Sequence, residues 1–394
     1  MVSLMLLLAL AQDIDRHQTV GLQYRYVESY RQHYDRENTS STIMTGSDLV
    51  HLALQKIKTE SVPLELLKYG VAAYLDAVLD TVGHEYGHLS SYSMVGKIHP
   101  TLFRDGMNDP HPANPFNIFY RALSVASMGT GVSAQDSVAI SALYAGNPTG
   151  LSAYNCTAMA GGVNQEQAML SAYTGRYLYG RLSVLDGIPV IWETFSTLRV
   201  GVAGGGDVQS YCTRLSELGI GCTTTKVVAI SSVRLLSGSV IASAVGLVEG
   251  LGELSFEVPR IRLDDDWVIR WPEFESYLTQ YGPTVKLQIP ITSTYLDITT
   301  SLERSFGRSG TEGGLAVRLK YKRLLVCVDT YFSGDGYWWN AYMQLNLTPW
   351  FSFNIGYQYG DRYTFHREVY GANFDGLHRS EASPFVSVSL HHRF

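Results

Sequence analysis

Apolar residues in the first two thirds of the chain recur at helical spacing. The run that follows Ser61 has no proline after Pro63 and predicts one long helix up to Gly96, with Ser61 as its N-cap. Between Lys97 and Pro115 the chain is rich in Pro, Asp and Asn, which predicts a loop. Further helices are predicted over residues 117–128, 133–145, 164–180, 207–218 and 226–250.

From residue 253 onward the period of the pattern becomes two. Between Trp339 and Leu347, and again between Phe351 and Tyr359, apolar or aromatic residues occupy the odd positions and mostly polar residues the even ones. This alternation predicts strands with one apolar and one polar face. Eight strands are predicted, over residues 254–263, 283–292, 294–305, 313–321, 324–333, 338–347, 350–360 and 384–394. Residues 267–271 and 19–26 are additional candidates, and a strand at 19–26 would make the helical part an insertion.

Three features of these strands favour a transmembrane β-barrel over a soluble sandwich. The strands have about ten residues, their polar face is rich in Asn, Gln, Ser and Gly, and aromatic residues cluster at their ends. The chain ends in alternating Val386, Val388, Leu390 and His392 before Phe394, which resembles the last strand of bacterial outer-membrane barrels. The resemblance implies a partner in outer-membrane lipid. The predicted class is α+β, with a helical domain over 12–252 and an antiparallel barrel of about eight strands over 253–394.

Composition narrows the function classes. Charged residues make up 17% of the chain, below the roughly 25% of ordinary soluble domains, and apolar residues 45%. The net charge is −6 and no run of Lys or Arg occurs, which argues against a nucleic-acid partner. Residues 1–11, MVSLMLLLALA, are typical of a signal peptide, the alternative being a buried N-terminal helix.

None of the four cysteines lies in a CxxC motif, so the sequence does not indicate a thiolate zinc cluster. Cys212 and Cys222 flank a short segment and can form a disulfide in an oxidising compartment. The alternative is that all four cysteines are reduced and buried.

The stretch HEYGH at residues 84–88 carries the candidate chemistry. On a helix, His84 and His88 lie on one face about 5–6 Å apart, close enough to bind one ion. The spacing matches the HExxH motif of zinc metallopeptidases, in which the two histidines bind Zn²⁺ and the glutamate is the general base. This resemblance implies that Glu85 deprotonates a zinc-activated water. Asp80, one turn earlier, is a candidate to orient the second ring nitrogen of His84. The alternative is a helix with a hydrogen-bonded histidine pair.

The third zinc ligand separates the subfamilies of such enzymes. Ser91 and Met94 stand where a metzincin has Gly and His, which excludes that subfamily. A gluzincin takes a glutamate from a later helix, and Glu166 is the favoured candidate. Glu166 next to an Asn164 N-cap can instead complement a helix dipole. Further ligand candidates are Glu193, His99 and His111, and Tyr173 is the candidate for stabilising the oxyanion.

Together these features predict an outer-membrane zinc metallopeptidase that acts on polypeptides, as an endopeptidase rather than an exopeptidase. The helical part is expected on the periplasmic side. One alternative is a non-enzymatic outer-membrane protein, such as a pore, assembly factor or adhesin, whose HEYGH is structural or binds metal without turnover. A second alternative is a soluble secreted metalloprotein with a β-domain.

Overall fold

The computed structural model describes the greater part of the chain, and the fold is α+β, as the pattern predicts. The described residues are 19–27, 36–58, 61–93, 101–104, 107–112, 128–179, 184–202, 206–249, 260–279, 281–307, 312–333, 336–348, 351–359 and 383–393. The predicted signal peptide, nearly all of the helix predicted at 117–128, and Phe394 lie outside them.

Eight α-helices occur among the described residues, all within residues 36–249. They are α1 (Arg36–Gln55), α2 (Val62–Ser93), α3 (Ala134–Leu143), α4 (Pro148–Tyr179), α5 (Val184–Val202), α6 (Asp207–Glu217), α7 (Thr224–Ser231) and α8 (Gly238–Glu249), with a 3₁₀ turn at Ser232–Leu236. A buried core that includes Tyr154, Val163, Tyr211 and Leu215 packs α4 against α6. This packing matters for function because α4 also packs against α2, the helix that carries HEYGH.

The strands form one large and one small antiparallel sheet. The small sheet has the order β3-β2-β4 and contains β2 (Thr101–Arg104), β3 (Met107–Pro112) and β4 (Met128–Gly131). The large sheet contains β1 (Thr19–Val27), β5 (Arg260–Arg262), β6 (Val268–Arg270), β7 (Glu273–Thr279), β8 (Gly282–Thr292), β9 (Leu296–Ser305), β10 (Glu312–Tyr321), β11 (Leu324–Ser333), β12 (Gly336–Thr348), β13 (Phe351–Tyr359) and β14 (Ser383–Arg393).

The large sheet is a meander that begins and ends with distant parts of the chain. Its order is β1-β14-β13-β12-β11-β10-β9-β8-β6-β5, and β7 pairs with β8 beside β6. Because β1 pairs with β14, the helical part is an insertion between the first strand and the others. Among the described strands β1 and β5 do not pair with each other, so the sheet is open and a closed barrel stays a prediction.

The two faces of this sheet have the reverse of the polarity found in a soluble sandwich. In β13, Ser352 and Asn354 are buried, whereas Ile355 and Tyr357 are exposed. In β9, Glu303 is 4% exposed and its neighbour Leu302 is 57% exposed. The exposed face continues across neighbouring strands through the following apolar side chains: Leu315, Leu319, Val328, Met343, Leu345, Leu347, Val386 and Val388. The sheet therefore encloses polar side chains and presents apolar ones.

Helices cover the outer edge of β7. The Asn164 side chain of α4 donates to the Leu278 carbonyl at 2.9 Å and accepts from the Leu278 amide at 2.8 Å. The Ser237 hydroxyl likewise donates a hydrogen bond to the Phe274 carbonyl and accepts one from the Phe274 amide. These side chains satisfy the groups that another strand would otherwise pair with, which is one way to protect a sheet edge. Asn164 is therefore not the N-cap that the sequence suggested, but a mid-helix contact to the sheet.

Several element boundaries differ from the prediction. The helix predicted at 164–180 begins at Pro148, and the one predicted at 226–250 is two helices and a 3₁₀ turn. The helices α1 and α5 and the strand β7 were not predicted, and the loop predicted at 97–115 contains β2 and β3. No single described helix has the length and apolarity to cross a membrane, whereas Thr224–Leu236 and Gly238–Gly246, bent by 67°, pass that test as a pair.

Candidate metal centre

The two histidines of HEYGH lie on one face of α2 and point at the same place. Their Nε2 atoms are 3.2 Å apart and their ring centroids 4.9 Å apart. The side chain of His88 is almost completely buried, and that of His84 is 14% exposed. The long predicted helix, which the structure has at Val62–Ser93, is what brings the pair into this register.

A close crossing of α2 with α4 forms the wall behind the histidines. A Cβ on Gly161 would lie 2.5 Å from the Gly87 carbonyl oxygen, and a Cβ on Gly87 would overlap Gly161 in turn. At Gly162 a Cβ would lie 2.5 Å from Nε2 of His84 and 2.6 Å from Nε2 of His88. The glycines thus allow the helices to touch and keep open the space that both Nε2 atoms face.

Asp207 completes the group from the far side. Its Oδ2 lies 2.8 Å from Nε2 of His84 and 3.0 Å from Nε2 of His88. Asp207 is the first residue of α6 and follows Gly206, whose φ of 73° lies in the left-handed region that glycine adopts without strain. The turn at Gly206 and the packing of α6 on α4 together direct this carboxylate at the histidine pair.

The outer ring nitrogens of both histidines have their own acceptors. Nδ1 of His84 lies 2.6 Å from Oε1 of Glu166, and Nδ1 of His88 lies 2.8 Å from the Ala158 carbonyl oxygen. Carboxylate and carbonyl oxygens are hydrogen-bond acceptors, so the Nδ1 atom of each ring must carry the hydrogen in these contacts. A ring that keeps its Nδ1 hydrogen and releases the one on Nε2 to a metal ion presents the lone pair of Nε2, as metal-binding histidines do.

The charges around the pair favour a cation at its centre. Burial alone would lower the pKa of His84, but Glu166 and Asp207 raise it well above its ordinary value. Burial likewise opposes the charged form of His88, and Asp207 raises that pKa. Burial would raise the pKa of Asp207, whereas the adjacent His88 and His84 hold it far below its usual range. The carboxylates therefore stabilise positive charge where the Nε2 atoms meet.

Glu85 lies beside this group rather than within it. It is 5% exposed, and its Oε2 accepts a hydrogen bond of 2.6 Å from the Thr130 hydroxyl of β4. Its charge acts on His88, so the two side chains are electrostatic neighbours. The carboxylate is thus fixed in orientation by the small sheet, next to the histidine pair.

A second carboxylate group lies behind His84. Asp80, Glu166 and Glu193 each place one oxygen within 4.8 Å of the others, and all three are buried. The Trp192 indole donates to Oδ2 of Asp80 at 3.0 Å. Glu166, rather than Asp80, therefore orients the outer nitrogen of His84, which revises the role expected for Asp80.

Glu166 hydrogen-bonds Nδ1 of His84, whereas Asp207 lies at the inward-facing Nε2 atoms of both histidines, which makes Asp207 the nearer candidate for a third ligand. Glu193 lies with Asp80 and not with the Nε2 atoms. Tyr173 is buried in a core with Met44, Leu170 and Val190, near Ser47 and Asp76, and the structure does not bring it to the histidine pair. His99 lies outside the described residues, and only the backbone of His111, in β3, is described.

Sequence reasoning missed Asp207, Thr130 and Trp192. For Asp207 one signal was available, since the glycines at 204–206 precede an acidic residue at a predicted helix start. An aspartate at that position is also explained by the helix dipole alone, so the signal is ambiguous. Thr130 and Trp192 carry no motif of their own.

The donor set fits a zinc ion. Two imidazole nitrogens and a carboxylate oxygen are the ligands of many zinc sites, and at bonds of about 2.0–2.2 Å the ligand atoms of a tetrahedral site lie roughly 3.3 Å apart. The distances of 2.8, 3.0 and 3.2 Å among the three atoms need only slight expansion. The side chain of Asp207 is 30% exposed, so solvent reaches the group on its side.

Comparisons of the chain with protein-family models, with curated proteins and with solved structures found no match.

Proposed function

We propose that this chain is a zinc metallopeptidase anchored in the bacterial outer membrane, with its helical part in the periplasm. The observation that carries the proposal is the convergence of His84, His88 and Asp207 on one point with Glu85 beside them. Three protein ligands and an open fourth position are typical of catalytic zinc, whereas structural zinc has four protein ligands.

The residues around the zinc site have separable tasks. A zinc ion bound there would act as a Lewis acid toward a peptide carbonyl and lower the pKa of water at its open position. Glu85 accepts a proton from the attacking water and returns it to the leaving amine, as a general base and then acid. Thr130 holds the carboxylate of Glu85 in one orientation through its hydrogen bond to Oε2.

Polypeptide is the substrate class that this surrounding favours. Among the described residues β4 is an edge strand of the small sheet, and its Thr130 contacts Glu85. An extended peptide that adds to such an edge is held by main-chain hydrogen bonds, which depend little on its sequence. Its carbonyls would then pass Glu85, which favours cleavage within a chain over removal of terminal residues.

The polarity of the large sheet supports a membrane location. Polar side chains such as Ser352 and Asn354 are buried, and apolar ones such as Ile355 are exposed, as in transmembrane barrels. The strands β8 to β12 have 10 to 13 residues, enough to cross a bilayer when tilted. Closure of the sheet is part of the proposal, since lipid does not tolerate an open edge.

The disulfide between Cys212 and Cys222 supports an oxidising compartment such as the periplasm. It joins the middle of α6 to the segment before α7, and it therefore restrains the helix that supplies Asp207. Cys156 and Cys327 are free and buried, so the expected alternative of four reduced cysteines holds only for these two.

Metal content and peptide hydrolysis, measured on the same detergent-purified protein, test the proposal. We expect one zinc per chain at the histidine site of the wild type, lost in His84→Ala and in His88→Ala, and hydrolysis of an unfolded polypeptide only by the wild type. Full zinc in both variants would place the metal elsewhere and end the proposal. Zinc binding without any hydrolysis would favour the alternative of a non-enzymatic outer-membrane protein.

A further inference from the structure

The carboxylate group behind His84 is drawn from three helices. Asp80 lies on α2, Glu166 on α4 and Glu193 on α5, and their exposed fractions are 3%, 2% and 3%. One oxygen of each lies within 4.8 Å of the other two, the separation expected for ligands of one ion at bonds of up to about 2.4 Å. Three carboxylates without water around them must be compensated by something.

Hydrogen bonds satisfy only part of this group. Trp192 donates to Oδ2 of Asp80, and Nδ1 of His84 donates to Oε1 of Glu166. The second oxygen of Asp80, Oδ1, and Oε2 of Glu193 are both buried and meet no N–H or hydroxyl donor among the described residues. The Asp80 and Glu193 carboxyls lie within hydrogen-bonding range of each other, a contact that needs a shared proton or a cation. A buried carboxylate oxygen without a donor is costly, and such groups in native proteins call for a ligand, an ion or a proton.

Within the described part of the chain, little positive charge lies near the group. The charged side chains that act on Glu193 are Asp80, Glu166 and Asp76, all acidic, and the one cation that acts on Asp80 is His84. If His84 binds zinc through Nε2, the positive charge moves from the ring to the ion, which lies across the ring from Glu166 at Nδ1. The carboxylates then carry up to three negative charges in a dry environment.

We propose that Asp80, Glu166 and Glu193 form a second metal site, which binds a hard divalent cation such as Mn²⁺, Mg²⁺ or Ca²⁺. Oxygen-only donors favour these ions over the softer metals that imidazole and thiolate select. Oδ1 of Asp80 and Oε2 of Glu193 are the oxygens that the existing hydrogen bonds leave available. Glu166 would join the two sites, because it also bonds His84.

The competing explanation is a proton shared by Asp80 and Glu193, which would satisfy the same two oxygens. Glutamine at position 193 separates the two cases. It matches a protonated glutamate in size and charge, so a protein that needs only the proton would tolerate Glu193→Gln with little change. A metal site would lose a charged ligand.

Manganese binding by the His88→Ala variant is the experiment. This background removes a ligand of the first site and leaves the His84–Glu166 hydrogen bond in place. After treatment with EDTA, titration with Mn²⁺ followed by electron paramagnetic resonance should give one bound ion per chain. Adding Glu193→Gln should weaken that binding at least ~100-fold, and adding Asp80→Asn should do the same. Glu65→Gln, a partly exposed residue in the first turn of α2, is the control and should leave binding unchanged.

Folding is checked for each protein by circular dichroism and by a cooperative thermal transition, which Mn²⁺ should shift upward in His88→Ala but not after Glu193→Gln. No stoichiometric Mn²⁺ in folded His88→Ala, or unchanged binding after Glu193→Gln, overturns the second site and leaves the shared proton. The readout needs no substrate, so it is independent of whether the peptidase proposal holds.

Discussion

Glu85 separates metal binding from chemistry. Glu85 is not one of the three residues whose ligand atoms face each other, and its Oε2 accepts a hydrogen bond of 2.6 Å from Thr130. Glu85→Gln keeps the size and an acceptor oxygen but removes the base. We expect zinc content to stay at the wild-type level and kcat to fall at least ~100-fold, the lower end of general-base contributions. Zinc analysis and a peptidase assay on one sample measure both quantities.

The matched control for that variant is Glu65→Gln, a partly exposed glutamate in the first turn of the same helix that forms an ion pair with Lys68. Its activity should equal that of the wild type. Full activity in Glu85→Gln would show that HEYGH is not a peptidase centre.

Asp207 and Glu166 differ in which nitrogen of His84 they meet, and their variants should differ accordingly. Asp207→Asn removes the anionic oxygen that faces both Nε2 atoms, so zinc should be lost at stoichiometric concentration. Glu166→Gln keeps an acceptor for Nδ1, and a loss of roughly 10–100-fold in zinc affinity is expected, as for other residues that orient ligands. Competition with a chelator gives both affinities. Equal effects, or a larger effect at Glu166, would restore Glu166 as the ligand.

These residues show which parts of the site could be predicted from the sequence. His84, Glu85 and His88 follow from spacing, because one turn of a helix fixes their relation. Asp207 lies 119 residues beyond His88 in sequence, and only the packing of α6 on α4 brings it there. Glu166, the residue favoured from sequence, lies at Nδ1 of His84, whereas Asp207 lies at Nε2.

Two glycines of α2 differ in the space that an added side chain would have. A Cβ on Gly87 would overlap the Gly161 carbonyl of α4, whereas a Cβ on Gly70 would meet nothing within 4 Å. Gly87→Ala should lower the free energy of unfolding by about 1–3 kcal/mol, through overpacking, and weaken zinc binding because the wall behind the histidines moves. Gly70→Ala should raise stability by up to ~1 kcal/mol, since alanine is the better helix former.

Denaturant unfolding and chelator competition on the two alanine variants measure these effects. A Gly87→Ala protein as stable as Gly70→Ala would mean that the helices do not touch at that point.

The elements that were predicted well from the sequence are those with a regular pattern of apolar and polar residues. Apolar residues recur at helical spacing in α2 and at every second position in the strands β8 to β14. The predicted bounds of these elements are close to those of the structure. The strand β7 was missed because it is buried on both faces, with Glu273, Glu275 and Ser276 packed among helices and sheet. Its alternation is therefore hidden, and tertiary contacts such as Asn164 to Leu278 decide its conformation.

At the level of the entire chain, the sequence predicted an α+β protein, and the structure has that class. The insertion of the helices between β1 and the other strands was an open alternative that only strand pairing could decide. Closure of the sheet could not be decided in the same way, because alternation specifies the two faces of a strand and not the partner of its edge.

The exposed apolar face of the large sheet gives the test of the membrane proposal. Ile355 lies on β13 and is 47% exposed, and its cross-strand neighbours are Met343 and Val386. In water, Arg at such an exposed position changes stability little. In lipid, Arg near the middle of the bilayer costs about 2–4 kcal/mol. We therefore expect Ile355→Arg to reduce insertion into liposomes strongly, whereas Val138→Arg, at a 70% exposed position of α3, should insert like the wild type. Insertion is measured by flotation with vesicles and by heat-modifiable migration of the folded protein. Equal insertion of the two variants would place this face in water, and the peptidase proposal would then apply to a soluble secreted protein.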